Sequence, residues 1–298
     1  MARRTKKSKT TLATVILATF LLICYWLLDT SGFLTIQEGQ KTNVHGGLVE
    51  VHFIDVGQGD SIYIKTPTQD ILIDGGQREQ GDTVVEYLKS QDVDDLELVI
   101  GTHPHSDHIG GLISVLEEIP VKEVMDPGIE HTSKTFEDYL TLIDKKDIIF
   151  TIGRAGMKKI YEDGTAIEVL SPADPDEQSL NDASIVSKLT FGDISFLFAG
   201  DAESKSEEEM IKSDYELKST FLKAGHHGSS TSTSDNFLEA VSPEAVIIMC
   251  GADNSYGHPH EETLEKLQKA GTKVYRTDQL GTIVAETNGV DYDIHFAD

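Results

Sequence analysis

The segment GTHPHSDHIGG, residues 101–111, follows directly on the apolar run LELVI. A short, mostly apolar run with β-branched residues reads as a buried strand, and it ends by delivering His103. His105, Asp107 and His108 follow within five positions. His-x-His sets two imidazoles two residues apart, where a turn folds both onto one ion. Asp107 and His108 face a second ion a few ångströms away. Imidazole with carboxylate suits Zn²⁺, Mn²⁺ or Fe²⁺. Gly110 and Gly111 let the backbone pack tightly as the next helix begins.

Four ligand-type residues do not complete such a site, and other strand ends are where partners are expected. FLFAGD delivers Asp201, a carboxylate placed to bridge two ions; its alternative is to cap the helix AESKSEEEM. LKAGHHGSS ends a strand at His226 and His227, which otherwise form a core pair. His258 ends another strand and loop in NSYGHPH. Asp74, in LIDGG, is expected behind the ligands, holding one histidine by hydrogen bond. His52 and His295 sit inside strands and read as structural, while His45 and His131 lack such company.

Strand and helix patterns alternate from Leu48 to the C-terminus, and the two halves share one layout of sheet plus helices. A mixed sheet flanked by helices, occurring twice, predicts an α/β fold, a four-layer αββα sandwich. At 298 residues, 39% of them hydrophobic, the chain has ample material for that core. All 51 acidic residues but only 20 of the 25 basic ones lie beyond residue 28, a net charge of −31 for that part. So acidic a body repels polyanions at long range and is not expected to form a stable complex with nucleic acid.

The first ten residues hold Arg3, Arg4, Lys6, Lys7 and Lys9, and residues 12–28 are uncharged. A helix of that length spans roughly 26 Å, close to the hydrocarbon core of a bilayer. The basic tail on one side predicts residues 1–10 in the cytoplasm, a membrane anchor or signal over 11–28, a linker over 29–47 and an extracellular domain over 48–298. Cys24, in the anchor, and Cys250, in the strand AVIIMCG, are not expected to pair.

HPHSDH resembles the H-x-H-x-D-H signature of the metallo-β-lactamase superfamily. FIDVGQGDSIYI, ILIDGG, THPHSDHIGG, NDASIVSKL, FLFAGD, LKAGHHGSS, YGHP and YRTDQLGTI, in that order, resemble the hydrolase domain of the ComEC competence proteins, bacterial DNA-uptake channels. The resemblance covers residues 48–298. It implies two divalent metal ions, Zn or Mn: His103 and His105 on one, Asp107 and His108 on the other, and Asp201 between them. Many relatives supply a further histidine just before the Gly-Asp strand. Here SLNDAS offers Asn181 and Asp182 instead. His227 is expected to fill that place, with His258 completing the second ion's shell and His226 serving as proton donor. In the rival assignment a histidine of the HHGS pair ligates the second ion and His258 meets substrate. Asp107 and Asp201 would orient the nucleophile, and Asn181 and Ser229 would stand behind the ligands or against substrate.

A two-metal site implies hydrolysis by an activated hydroxide. One site design serves phosphodiesters, lactones, lactams and thioesters across the superfamily, so the fold leaves the substrate open. The hydroxyls and amides of the HHGSSTSTS and GADNSYGHP loops favour a phosphodiester, in nucleic acid or an envelope polymer. A lactonase or β-lactamase-type acyl hydrolase, and a binding module without activity, are the alternatives. ComEC proteins carry this domain on a polytopic channel; one span predicts a surface-tethered hydrolase here.

Overall fold

The computed structural model describes residues 47–174 and 179–297. The first sheet runs in the order β15 (Tyr292–Ala297), β14 (Thr282–Thr287), β1 (Val49–Phe53), β2 (Ile62–Lys65), β3 (Asp70–Ile73), β4 (Leu98–Ile100), β5 (Glu123–Asp126) and β6 (Ile149–Ile152). The second runs β13 (Lys273–Arg276), β12 (Ala245–Ile248), β11 (Phe221–Lys223), β10 (Ile194–Phe198), β9 (Val186–Phe191), β8 (Ala166–Ser171) and β7 (Lys158–Ile160).

Alternation along the strands sorts the apolar residues into three layers of contact. Ile71 and Ile73 point inward with Phe53 and Ile100, against Leu189, Phe196, Phe198 and Phe221 of the other sheet. Leu72, between them in sequence, points outward and packs with Val99 and Val124 against Val84, Leu88, Leu116 and Tyr139. On the far side Leu197, Leu222 and Val246 pack against Met210, Phe237, Val241 and Leu267. Helix, sheet, sheet and helix therefore form four layers, as the sequence pattern predicts. Phe196 is 1% exposed and stacks on Phe221 with ring centroids 4.5 Å apart. Truncating such a buried ring costs about 3–5 kcal/mol.

The site follows from strand direction. β3, β4 and β5 are parallel, and so are β10, β11 and β12. The loops that leave their C-terminal ends gather at one edge of the sandwich, where α/β sheets hold ligands.

Two local readings are refined. The helix expected to begin at Gly110 and Gly111 is Leu112–Glu118, and a separate short helix, Ser106–Ile109, precedes it. They break at Gly110 and Gly111, where an added Cβ would lie 2.3 Å from the Ser106 carbonyl oxygen and 1.9 Å from that of Gly75. That close approach ties the histidine loop to the loop after β3. The edge strand β7 was not expected, because KKI is short and carries two lysines. The basic tail, the anchor over 11–28 and the linker up to residue 46 lie outside the described residues. Among the described residues no helix is long and apolar enough to cross a membrane.

Candidate metal centre

β4 ends at Ile100, and the chain turns so that His103, His105, Asp107 and His108 face the loops of the second sheet. The ligand-type atoms of His103, His108 and Asp201 lie within 4.8 Å of one another, and so do those of Asp107, His108 and His227. Asp201 Oδ2 is 3.3 Å from His108 Nε2 and 3.7 Å from His103 Nε2, while its Oδ1 is 3.5 Å from His227 Nε2. Asp107 Oδ2 is 3.5 Å from the same His227 nitrogen. One carboxylate thus stands between two groups of imidazoles. Asp201 is not the helix cap: Asp182 Oδ1 accepts the Glu203 and Ser206 backbone N–H groups, each at 3.1 Å, and leaves Asp201 aimed at the histidines.

A layer behind the ligands holds their rings. His108 Nδ1 lies 2.8 Å from Asp74 Oδ2, and Thr102 gives its backbone N–H and hydroxyl to the same carboxylate at 2.8 and 2.7 Å. His103 Nδ1 faces the Thr102 and Ser184 hydroxyls at 3.1 and 3.3 Å. His105 Nδ1 lies 2.9 Å from His103 Nε2. His227 Nδ1 faces the Met249 carbonyl oxygen at 3.0 Å and Asp60 Oδ1 at 3.3 Å. Asp60 is ion-paired with the buried ammonium of Lys223, which also donates to the Gly200 carbonyl at 3.0 Å. Asp74, His226 and His227 adopt positive φ angles of 58°, 47° and 54°, strained conformations that turn these side chains into the site.

These residues fit divalent ions. His108 Nε2, His227 Nε2 and Asp201 Oδ1 are buried with no hydrogen-bond partner, an arrangement that native proteins rarely leave unmatched. The field is strongly negative. Burial opposes charge on His108, but Asp201 and Asp74 outweigh it and hold that imidazole well above its ordinary pKa. Burial opposes charge on His227 too, yet the carboxylates of Asp201, Asp60 and Asp107 lift it to about 9. Burial works against Asp107 and Asp201, and the surrounding imidazoles nevertheless hold both carboxyls below the usual range. Burial and the neighbouring His108 push His103 well down.

The remaining expected residues surround this centre. His226 lines the cleft above it, with Nε2 3.8 Å from Asp201 Oδ2 and Nδ1 3.1 Å from Glu203 Oε1. Glu203 also accepts from the Thr231 hydroxyl at 2.8 Å and from Asn181 Nδ2 at 3.4 Å. The His258 ring stands 5.4 Å from that of His226 and 6.1 Å from that of His227, and burial together with these two neighbours lowers it to about 4. Ser229 is buried one link further out, its hydroxyl 3.0 Å from that of Thr231. His227 gathers with Asp107 and His108, the arrangement of the rival assignment in which a histidine of the HHGS pair serves the second ion. The cleft measures about 280 Å³, and Gln58, Ser106 and Tyr256 complete its walls.

Sequence reasoning missed Asp60, Lys223, Glu203 and His131. Asp60 lies in the quoted DVGQGD stretch, and Lys223 immediately precedes Ala224 in LKAGHH, but nothing local says that they pair. His131, set aside for want of company, has its ring 6.2 Å from that of His105.

Two sheets face to face, flanked by helices, with histidines and aspartates gathered at one edge, are the frame of a metallo-hydrolase. The chain belongs to the metallo-β-lactamase superfamily, whose family model matches residues 54–252. It is similar to ComE operon protein 3 of Bacillus subtilis (strain 168), 34% identical in an alignment 253 positions long that covers 78% of this chain and 32% of that one. It is also similar to competence protein ComA of Neisseria gonorrhoeae, 30% identical over 231 residues, 77% of this chain and 31% of that one. The chain spans about a third of the length of these curated relatives. Among solved structures the metallo-β-lactamase fold protein YhfI of Bacillus subtilis aligns with a TM-score of 0.54 at 13% identity, over 81% of this chain and all of that one. Igni18, a metallo hydrolase of Ignicoccus hospitalis, aligns with a TM-score of 0.51 at 18% identity, over 80% of this chain and 98% of that one. Both show the fold alone.

Proposed function

We propose that the protein is a dinuclear metal-dependent phosphodiesterase, with Zn²⁺ or Mn²⁺ held by His103, His105, Asp107, His108, Asp201 and His227. The observation that carries this is the pair of converging donor groups that share His108, with Asp201 between them and three buried donor atoms unmatched. Bound divalent ions supply a Lewis acid for the phosphoryl oxygen and acidify a water.

The chain's own groups do the rest. Asp107 and Asp201 accept hydrogen bonds from the attacking water and fix its direction. Glu203 Oε1 accepts a hydrogen bond from His226 Nδ1–H, and the imidazolium form of His226 carries a second proton on Nε2, which faces the cleft and passes to the departing oxygen, leaving a neutral imidazole. His258, with Gln58 and Tyr256, orients the ester. This cleft is polar, which suits phosphate better than an acyl group, and the similarity to competence proteins favours a nucleic acid substrate. The acidic body makes that contact transient. Residues 11–28 would tether the domain to the outer face of a membrane.

A panel of bis-p-nitrophenyl phosphate, single-stranded DNA, a homoserine lactone and nitrocefin, with and without added Mn²⁺ or Zn²⁺, tests the reading. Metal-dependent turnover of the first two supports it. Turnover of the lactone or nitrocefin alone replaces it with an acyl hydrolase, and no turnover at all with a binding module.

A further inference from the structure

A second cleft, of about 610 Å³, opens beside the metal centre. His131 is the wall between them: its ring stands 6.2 Å from that of His105, at 85°, and 6.3 Å from that of Phe136, at 80°. Phe136, Leu140 and Leu180 make the cleft apolar, and Glu130 and Glu137 stand among its lining residues. An apolar pocket with a few polar groups is the usual form of a small-molecule site.

The lining restricts what can enter. Among the described lining residues Glu130 and Glu137 disfavour a phosphate, although Lys134 pairs with Glu137 at 3.3 Å, and the apolar walls disfavour a hydrated cation, so the group seated here is uncharged. An alkyl chain would fill the apolar part and make no use of the polar residues. A heteroaromatic ring uses both. Its faces lie against Leu140, Leu180 and the His131 imidazole, and its ring-edge N–H groups donate to Glu130 or Glu137. The His131 ring is held in place by Ser133. Its Nδ1 is taken by Ser133, with the hydroxyl at 2.9 Å and the backbone N–H at 3.4 Å, which places the ring proton on Nε2.

We propose that this cleft is a nucleobase subsite: a base of the substrate sits against His131, Leu140 and Leu180, on the His105 side of the scissile phosphate. The inference rests on the phosphodiesterase reading and specifies which part of the substrate is recognised.

The test uses the full chain loaded with Mn²⁺ and four esters: thymidylyl-thymidine, its two analogues lacking one base each, and thymidine octyl phosphate. The expected result is that removing the base on one side lowers kcat/KM by about 10-fold or more, through KM, as loss of a stacked base does. Leu140→Glu and Leu180→Glu, both in the lining, should each bring the ratio of kcat/KM between the dinucleotide and that analogue towards one. The use of two variants guards against one failing to fold. If the esters are cleaved but neither base matters, the subsite is overturned and the phosphodiesterase reading stands. If the octyl ester matches the dinucleotide, the cleft takes a chain rather than a ring, and the proposal is again overturned. If no ester is cleaved, the phosphodiesterase reading itself falls.

Discussion

His108 Nδ1 lies 2.8 Å from the Asp74 carboxylate, and neither side chain touches water. The contact fixes the tautomer of His108 and turns Nε2 towards Asp201. It also explains why the tight turn after β3 is threaded against the histidine loop, with Gly75 donating to the His108 carbonyl at 2.7 Å. Asp74→Asn should keep the fold, because asparagine tolerates the left-handed backbone at that position. It should weaken divalent-metal affinity by about 10–100-fold, as loss of a carboxylate behind a ligating histidine does. Calorimetric titration with Zn²⁺ or Mn²⁺ measures this; unchanged affinity would reduce Asp74 to a loop staple.

Lys223 and Asp60 are each 1% exposed, and they form an ion pair beneath His227. Lys223→Met leaves the Asp60 carboxylate buried without its cation, which should destabilise the fold by about 3–5 kcal/mol. Replacing both, as Lys223→Met with Asp60→Leu, should recover much of the loss, since no charge is then stranded. Urea unfolding midpoints of the two variants decide it. Equal losses would show that the pair contributes through Asp60 and His227 rather than through charge balance.

The comparison of sequence with structure separates two kinds of information. β4 and β10 were legible because Leu98–Ile100 and Ile194–Phe198 are short and largely apolar and are each followed three residues on by a ligand-type residue, His103 and Asp201. The HxHxDH spacing is local chemistry and survives without a fold. What sequence hides is the pairing of loops distant along the chain: Asp60 with Lys223, His226 with Glu203, His105 with His131. Each lies on a loop or at a strand end whose place is set by strand order, and strand order is set by the cores on either side of the sheets. The grouping of His227 with Asp107 is of that kind too. Its direction depends on the positive φ angles of the HH pair, which no periodicity announces.

Asp126, at the end of β5, gives a pH test away from the metal ligands. Burial raises its carboxyl to about 7; the Gly128 N–H bond at 2.7 Å works against the rise and Asp74 adds to it. Below its ordinary value of 3.8 both folded and unfolded chains carry the proton, and the group contributes nothing. As the pH climbs to about 7 only the unfolded chain releases it, so folding stability falls across that window and the loss levels off above it. Asp126→Asn should lack this fall. Its stability relative to the wild type should rise between about pH 4 and 7, measured by urea unfolding across that range. A difference that does not change with pH would mean that Asp126 is ionised in the folded protein.

The HHGS pair separates binding from chemistry. His227 is buried, with Nε2 3.5 Å from both Asp107 and Asp201, whereas His226 lines the cleft with Glu203 behind it. His227→Ala should lose metal, with activity partly restored by excess Mn²⁺ or Zn²⁺. Asp201→Asn should lose occupancy and nearly all turnover, because a neutral amide bridges two cations poorly. His226→Ala should keep its metals and lose about 10²–10⁴-fold in rate, the range for a positioned proton donor. That loss should shrink for p-nitrophenyl esters, whose leaving group needs no proton. His258→Ala decides between its two roles: metal loss makes it a ligand, and a raised KM at full occupancy places it against substrate. Metal analysis beside kinetics on these four variants checks every step. Should His226→Ala lose the metal while His227→Ala keeps it, the roles of the pair are reversed.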